Sequence, residues 1–208
     1  MPVTPEWLEI ATPILASSSE LGNLLLCESP LDSSATGELC ALAESAGLKP
    51  VTVSARTWGL LPMGVARASI AAWIGEAGAP ADPSFCQDAV GQGAAARAAW
   101  ARLQQSWNDH DNATGLPLPP DDAPWRRDVE LMARLLAAVG EVEPRLLVVE
   151  HAEASDDSSL RILCALLAGR SGSGWTVVLE ATEDGSPLVQ RLAQTVERGR
   201  PESSVLRL

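Results

Sequence analysis

Apolar residues along the chain occur in two alternating patterns. Short, almost continuous apolar runs bounded by Gly, Pro, Ser or Asp are typical of strands that are buried in a parallel sheet. Longer segments carry apolar residues three and four positions apart, which is typical of amphipathic helices. The apolar runs predict four buried strands and one edge strand, at residues 23–28, 50–55, 145–150, 175–181 and 205–208.

The helical segments lie between these strands. Their periodicity predicts helices at residues 5–17, 37–46, from 63 onward, within 93–107, and at 125–140, 156–168 and 187–198. Gly47 ends the second helix, and Ser155 or Asp156 provides the N-cap of the helix that begins at residue 156. The alternation indicates a three-layer α/β fold with a mostly parallel, five-stranded sheet and right-handed crossovers.

We expect a single domain over residues 1–208, because a chain of this length can bury one sizeable core. The stretch from about residue 58 to 140 is predicted to be a helical insert between the second and third strands. Within it, residues 109–124 (DHDNATGLPLPPDDAP) are too rich in Pro and Asp for regular structure and are predicted to form a flexible loop.

Charge and targeting signals limit the class of partner. The sequence has 15 Lys and Arg residues against 27 Asp and Glu, a formal charge of -12, so nucleic acid and anionic membranes are not expected as partners. We find no signal-peptide pattern and no apolar run of membrane-spanning length. The 4 Cys residues form no C-x-x-C pair. Together these features predict a cytoplasmic protein with reduced, buried thiols.

Three of the predicted strands end in a glutamate. These residues are Glu28, Glu150 and Glu180. Ligands bind outside the carboxyl ends of the strands in an open parallel sheet, so the three carboxylates are expected to form an acidic rim there. One hypothesis is therefore a divalent-metal-dependent hydrolase, since clustered carboxylates suit Mg²⁺ or Ca²⁺.

The segment after the first strand has the position of a phosphate-binding loop. A working loop of the G-x-x-x-x-G-K-[ST] type needs Gly for backbone approach and Lys for the phosphates. Residues 29–36 (SPLDSSAT) have the required length but no Gly and no Lys, and Lys49, the single lysine, lies beyond the next helix. Glu38 is expected to occupy the helix start, where a phosphate would sit. Three residues at this helix start carry hydroxyl groups: Ser33, Ser34 and Thr36. We expect these hydroxyl groups either to cap the helix or to form a weak anion site.

One long stretch of the chain resembles a known family. The run LLVVEHAEASDDSSLRILCALLAG, followed by WTVVLEATEDGS, is similar to the second half of the nucleotide-binding domain of STAND-type ATPases, a branch near the AAA+ group. In that family a Walker B strand ends in two acids, whose positions are held here by Glu150 and His151. The following Asp, the Ser-Leu pair and the Ala-Thr end of the sensor strand match Asp156, Ser159-Leu160 and Ala181-Thr182.

The resemblance implies a P-loop NTPase-like sheet with strand order 5-1-4-3-2, in which Glu180 lies between Glu28 and Glu150. It also implies lost hydrolysis, because the phosphate loop lacks its Gly and Lys and the second acid position holds His151. The favoured hypothesis is therefore a catalytically inactive domain without a cofactor, acting as a regulatory or scaffolding module in a bacterial signalling or defence assembly. Its partner is expected to be another protein, such as an active NTPase or a signalling subunit.

An alternative hypothesis is a degenerate switch that binds ATP or ADP with Mg²⁺. It would use the hydroxyl residues at the helix start for phosphate and Glu150 for the metal ion. For the scaffold hypothesis, the candidate contacts with a partner are exposed aromatic and acidic residues. They are Trp58, Trp107, Trp125, Asp156 and Asp157, although the two acids also suit helix capping and first-turn charge.

Overall fold

The elements that the sequence predicts can be placed in three dimensions for somewhat more than half of the chain. The computed structural model describes residues 11–13, 15, 23–27, 33–59, 63–77, 123–168, 174–181, 187–199 and 205–207. The strands are β1 (Asn23–Cys27), β2 (Lys49–Ser54), β3 (Arg145–Glu150), β4 (Trp175–Glu180) and β5 (Val205–Arg207). The helices are α1 (Ser33–Ser45), α2 (Ala55–Trp58), α3 (Gly64–Ala77), α4 (Ala123–Val142), α5 (Asp157–Ala168) and α6 (Pro187–Gly199).

The strands lie side by side in an order that differs from their order in the chain. The sheet runs β2-β3-β4-β1-β5, and each neighbouring pair is parallel. An α/β fold with a mostly parallel sheet is therefore confirmed. The sequence pattern predicts five strands, whereas the sheet has four full strands and one edge segment, because only the three residues of β5 pair with β1.

Several boundaries differ from the predicted ones. Helix α1 begins at Ser33, four residues before the predicted start at residue 37. The short helix α2 was not predicted, and α4 begins at Ala123, so the last two residues of the predicted loop 109–124 are helical. The predicted helix within residues 93–107 and the rest of that loop lie outside the described residues.

Apolar side chains cover both faces of the sheet, which explains why the strands are apolar almost throughout. On one face, Leu147, Val149 and Val177 pack against helices α3 to α6. On the other face, Leu146, Val148 and Val178 pack against α1 and against residues 11 and 15. Among the described residues, no helix is long and apolar enough to cross a membrane.

A buried aspartate joins the two segments that follow β2 and β3. The Asp156 side chain is only 6% exposed and is the N-cap of α5, because it accepts hydrogen bonds from the Ser159 backbone N–H (2.9 Å) and hydroxyl. Its Oδ1 also accepts the backbone N–H of Met63 at 3.0 Å, at the start of α3. Of the two predicted N-caps, Ser155 and Asp156, the structure therefore shows Asp156 as the N-cap of α5.

The surroundings of Asp156 reinforce this junction. Arg67 lies one turn into α3, and burial lowers the pKa of its guanidinium while the nearby Asp156 carboxylate acts in the opposite direction. Gly59, just after α2, lies so close to the turn before Asp156 that an added Cβ would overlap the carbonyl oxygen of Ala154. The chain after β2 is thus packed tightly against the chain after β3.

We predict that Asp156→Ala lowers the free energy of unfolding by about 2–4 kcal/mol, because it removes a cap, leaves the buried donors of Met63 and Ser159 without their acceptor, and removes the carboxylate charge near the Arg67 guanidinium. The matched control is Asp157→Ala, the adjacent acid, which removes only a half-exposed ion pair with Arg161 and should cost less than about 1 kcal/mol. Urea unfolding followed by circular dichroism measures both. Equal losses in the two variants would contradict the role given to Asp156.

Candidate functional site

The sheet topology places the candidate site at the carboxyl ends of β1 and β4. Helix α1, which follows β1, covers one face of the sheet, whereas α6, which follows β4, covers the opposite face. Because β1 and β4 are neighbours in the sheet and the helices that follow them cover opposite faces, their carboxyl ends form a topological switch point. Such a topological switch point is where open α/β sheets bind ligands.

A thiol and a carboxylate lie side by side at this switch point. Cys27 and Glu180 are paired in register at the last residues of β1 and β4, so both side chains lie on the face that α1 covers. Both are buried, with Glu180 only 4% exposed. Burial and the charge of Glu180 raise the pKa of the Cys27 thiol to about 12. The backbone pairing continues one residue further, where the Ala181 N–H donates to the Cys27 carbonyl oxygen at 3.0 Å.

The predicted acidic rim is seen in part. The register Val149↔Leu179 makes Glu150 and Glu180 the next pair on adjacent strands, with Glu150 half-buried and Glu180 buried. The third member, Glu28, lies outside the described residues. Within the described part of the chain, no group of three or more His, Cys, Asp or Glu side chains is arranged to hold a metal ion.

The predicted eight-residue loop is wrong in length. Helix α1 already begins at Ser33, which leaves residues 28–32 between β1 and the helix. Ser34 and Thr36 therefore lie within the first turn of α1, and Glu38 lies one turn further in rather than at the helix start. The physical reason is that Ser, Asp and Thr residues near a helix start are accommodated in its first turn, where backbone N–H groups are not yet paired within the helix.

Two hydroxyl groups are available at this helix start. Ser34 is exposed, and the Oγ1 atom of Thr36 is buried with no hydrogen-bond partner. The first turn of α1 holds no acidic residue, so the helix dipole there is not opposed by a carboxylate of α1 itself. The side chain of Ser33 lies outside the described residues.

The single lysine lies at the opposite end of the sheet. Lys49 is the first residue of β2, and its Nζ forms an ion pair with the Glu143 carboxylate at 2.8 Å. Glu143 also accepts a hydrogen bond from Arg145, the first residue of β3, at 3.0 Å. Because the candidate site is at the carboxyl end, Lys49 is a full strand length away from it and is already paired.

The segment at the Walker B position has an unusual backbone. His151 adopts a left-handed conformation with φ 55°, directly after β3, and is followed by a short 3-10 turn at Ala152–Ala154. Its Nδ1 lies 3.8 Å from Oε1 of Glu153, an ion pair that forms only when the imidazole is protonated. The ring is therefore oriented toward a local carboxylate of its own turn.

The predicted interaction residues fall into different environments. Trp58 is half-buried and packs against the core, while Trp107 and the Trp125 side chain lie outside the described residues. The prediction that Asp156 contacts a partner is wrong, because the residue is buried and its oxygens are used by internal hydrogen bonds. Asp157 is half-exposed and bonds to Arg161 at 2.6 Å.

Sequence reasoning missed two features of this region. One is the pairing of Cys27 with Glu180, which depends on the strand order and so leaves no local signal beyond the two strand ends. The other is a groove between α5 and α6, for which the apolar stripe of the highly amphipathic helix α6 was an available signal.

Comparisons with known proteins leave the family open. No family model matches the chain, and a search of curated proteins finds no match. The STAND-type resemblance therefore stays a hypothesis.

We predict that Gly37→Ala raises the free energy of unfolding by about 0.5–1 kcal/mol, because Gly37 lies inside α1, where a Cβ would contact nothing within 4 Å. Gly47→Ala is the control: this residue ends α1 with φ +81°, so alanine there should destabilise the protein. Thermal unfolding of both variants checks the prediction. Destabilisation by Gly37→Ala would mean that residue 37 belongs to a loop.

We also predict a pH dependence that originates from Cys27. Its pKa is about 12 in the folded protein against an ordinary value of 9.0, so the protonated thiol stabilises the fold below pH 9, and that contribution is lost as the pH rises toward 12. The free energy of unfolding should therefore fall less steeply above pH 9 in Cys27→Ala than in the unchanged protein. Urea unfolding at several pH values between 7 and 10.5 measures this, and identical slopes would contradict it.

Proposed function

We propose that this chain is a STAND/AAA+-like domain that has lost phosphate binding and hydrolysis and acts as a regulatory or scaffolding module by binding another protein. The strand order supports the fold part of the proposal, because β1 lies between β4 and the edge segment β5, as in order 5-1-4-3-2. Helix α1 follows β1 directly at the position of a phosphate loop. The signalling or defence assembly is taken from the resemblance alone.

The single observation that carries the proposal is the buried Glu180 carboxylate beside Cys27 at the switch point. A nucleotide phosphate bound there would face this carboxylate in a region of low solvent access, where repulsion between like charges is strong. Lys49, the only lysine, lies at the other end of the sheet in an ion pair with Glu143. This arrangement supports the proposal, because a phosphate site needs positive charge.

The segment after β3 supports the loss of hydrolysis. In an active family member a second acid at the position of His151 would polarise the attacking water. Here that position carries an imidazole, held in a left-handed backbone conformation and directed toward Glu153. Glu150, which holds the position of the first acid, is a half-buried carboxylate at the end of β3.

A second candidate function is a weak ATP or ADP switch, and the start of α1 favours it. The first turn offers the exposed Ser34 hydroxyl and the buried, unbonded Thr36 Oγ1 at the positive end of the helix dipole. The metal-dependent alternative needs Glu28 beside Glu150 and Glu180, and Glu28 lies outside the described residues.

We predict that titration calorimetry with ATP, ADP or GTP, each with Mg²⁺, gives no saturable heat at ligand concentrations up to about 1 mM, which corresponds to a binding free energy weaker than about −4 kcal/mol. The physical reason is that the switch point has no lysine to bind a phosphate and carries the Glu180 carboxylate.

The variant Ser34→Pro distinguishes the two candidates. Proline fits the first turn of a helix, where the N–H groups are unpaired, so it removes one amide and one hydroxyl without unfolding α1. Ser45→Ala, at the other end of α1, is the control. Micromolar nucleotide binding that disappears in Ser34→Pro and persists in Ser45→Ala would overturn the scaffold proposal in favour of the switch.

A further inference from the structure

A groove lies between helices α5 and α6, on the face of the sheet opposite to the one that α1 covers. Its volume is about 280 Å³, just below the range of about 300–1,000 Å³ that is typical of drug-sized ligand sites. A few side chains of a partner would therefore fill it. Leu160 and Leu192 are almost completely buried below it, and Leu188 is partly exposed.

The two walls of the groove have the same spacing of residues. On α5 the lining residues are Asp157, Leu160, Arg161 and Cys164, and on α6 they are Leu188, Arg191, Leu192 and Thr195. Both sets follow positions i, i+3, i+4 and i+7, so each wall is one continuous stripe about 10 Å long. A third helix packs naturally between two such stripes, by inserting its side chains between theirs.

The charge of the rim selects among possible occupants. The Arg161 guanidinium bonds to Asp157 at 2.6 Å, with the two side chains 54% and 40% exposed, so these charges balance each other. Arg191 is exposed, and no ion pair with another described residue holds its guanidinium. The described lining of the groove therefore carries one positive charge that is not balanced by an acid of the lining, on a chain whose formal charge is -12.

From this charge complementarity we propose that the groove binds an amphipathic helix of a partner protein, which inserts apolar side chains over the three leucines and presents an acidic residue to Arg191. The inference rests on the proposed function, because it names a partner class for the interaction module. A helix fits better than an extended strand, since both walls are helical and offer no free strand edge.

Selection from a display library tests the proposal. The library encodes helical 14-residue peptides with apolar residues at i, i+3 and i+7, and with Asp, Glu, Lys, Arg or Ser at the flanking positions. The unchanged protein should enrich peptides with Asp or Glu at a flank. Arg191→Glu should bind the enriched peptides about three- to tenfold more weakly, and selection on that variant should enrich Lys or Arg instead.

Arg134→Glu is the matched control, because it makes the same charge reversal at an exposed position of α4 that does not line the groove. A selected peptide should bind this variant as it binds the unchanged protein. Thiol alkylation followed by mass spectrometry locates the site: the peptide should slow alkylation of Cys164, in the groove, and leave the rate of Cys40, on α1, unchanged.

Three results would overturn the inference. They are a failure to enrich any helical peptide, equal peptide binding by Arg191→Glu and the unchanged protein, and peptide binding without protection of Cys164. Failure of the proposed function is seen separately, as nucleotide binding in calorimetry. If the chain binds nucleotide and still selects acidic helices, the inference about the groove stands and the scaffold proposal fails.

Discussion

The carboxylate of Asp156 is the contact on which the arrangement of the described fold most depends. It caps the N-terminus of α5 by accepting the backbone N–H of Ser159. It also accepts the backbone N–H of Met63, a residue 93 positions earlier, at the start of α3. The helices on the larger face of the sheet are thereby fixed relative to the strand ends that precede them. A short hydroxyl-bearing side chain at this place could cap the helix, but Asp provides two oxygens: Oδ1 accepts the backbone N–H groups of Met63 and Ser159, and Oδ2 accepts the Ser159 hydroxyl.

Charge is distributed unevenly between the two ends of the sheet. At the amino end, Lys49 and Arg145 both bind Glu143, so cations and an anion neutralise each other beside the first residues of β2 and β3. At the carboxyl end, Glu180 lies buried beside Cys27, with Glu150 on the next strand. The carboxyl end of the sheet therefore carries carboxylates and a buried thiol, whereas the cations at the starts of β2 and β3 pair with Glu143 at the amino end. This distribution supports the proposal of a domain that recognises a protein rather than a phosphate.

The sequence predicted what depends on local pattern. The strands are placed to within about a residue because each is a short apolar run bounded by turn residues, and the cap at Asp156 follows from an acid directly before a periodic apolar segment. The start of α1 was misplaced because Ser33 and Ser34 are equally good in a turn and in a first helical turn. The contact of Met63 with Asp156, the pairing of Cys27 with Glu180 and the ion pair of Lys49 with Glu143 depend on strand order and packing, which no local pattern encodes.

The most direct test of the account is a residue-resolved one at the start of α1. In a ¹⁵N-labelled sample, the backbone amides of Ser34 and Ala35, in the first turn of α1, would report any phosphate that reaches this helix end, because anions bind there through N–H groups. The account predicts that their NMR chemical shifts do not change when ATP with Mg²⁺ is added to millimolar concentration. Saturable shifts at these two amides, with none at the amides of the opposite end of α1, would contradict it.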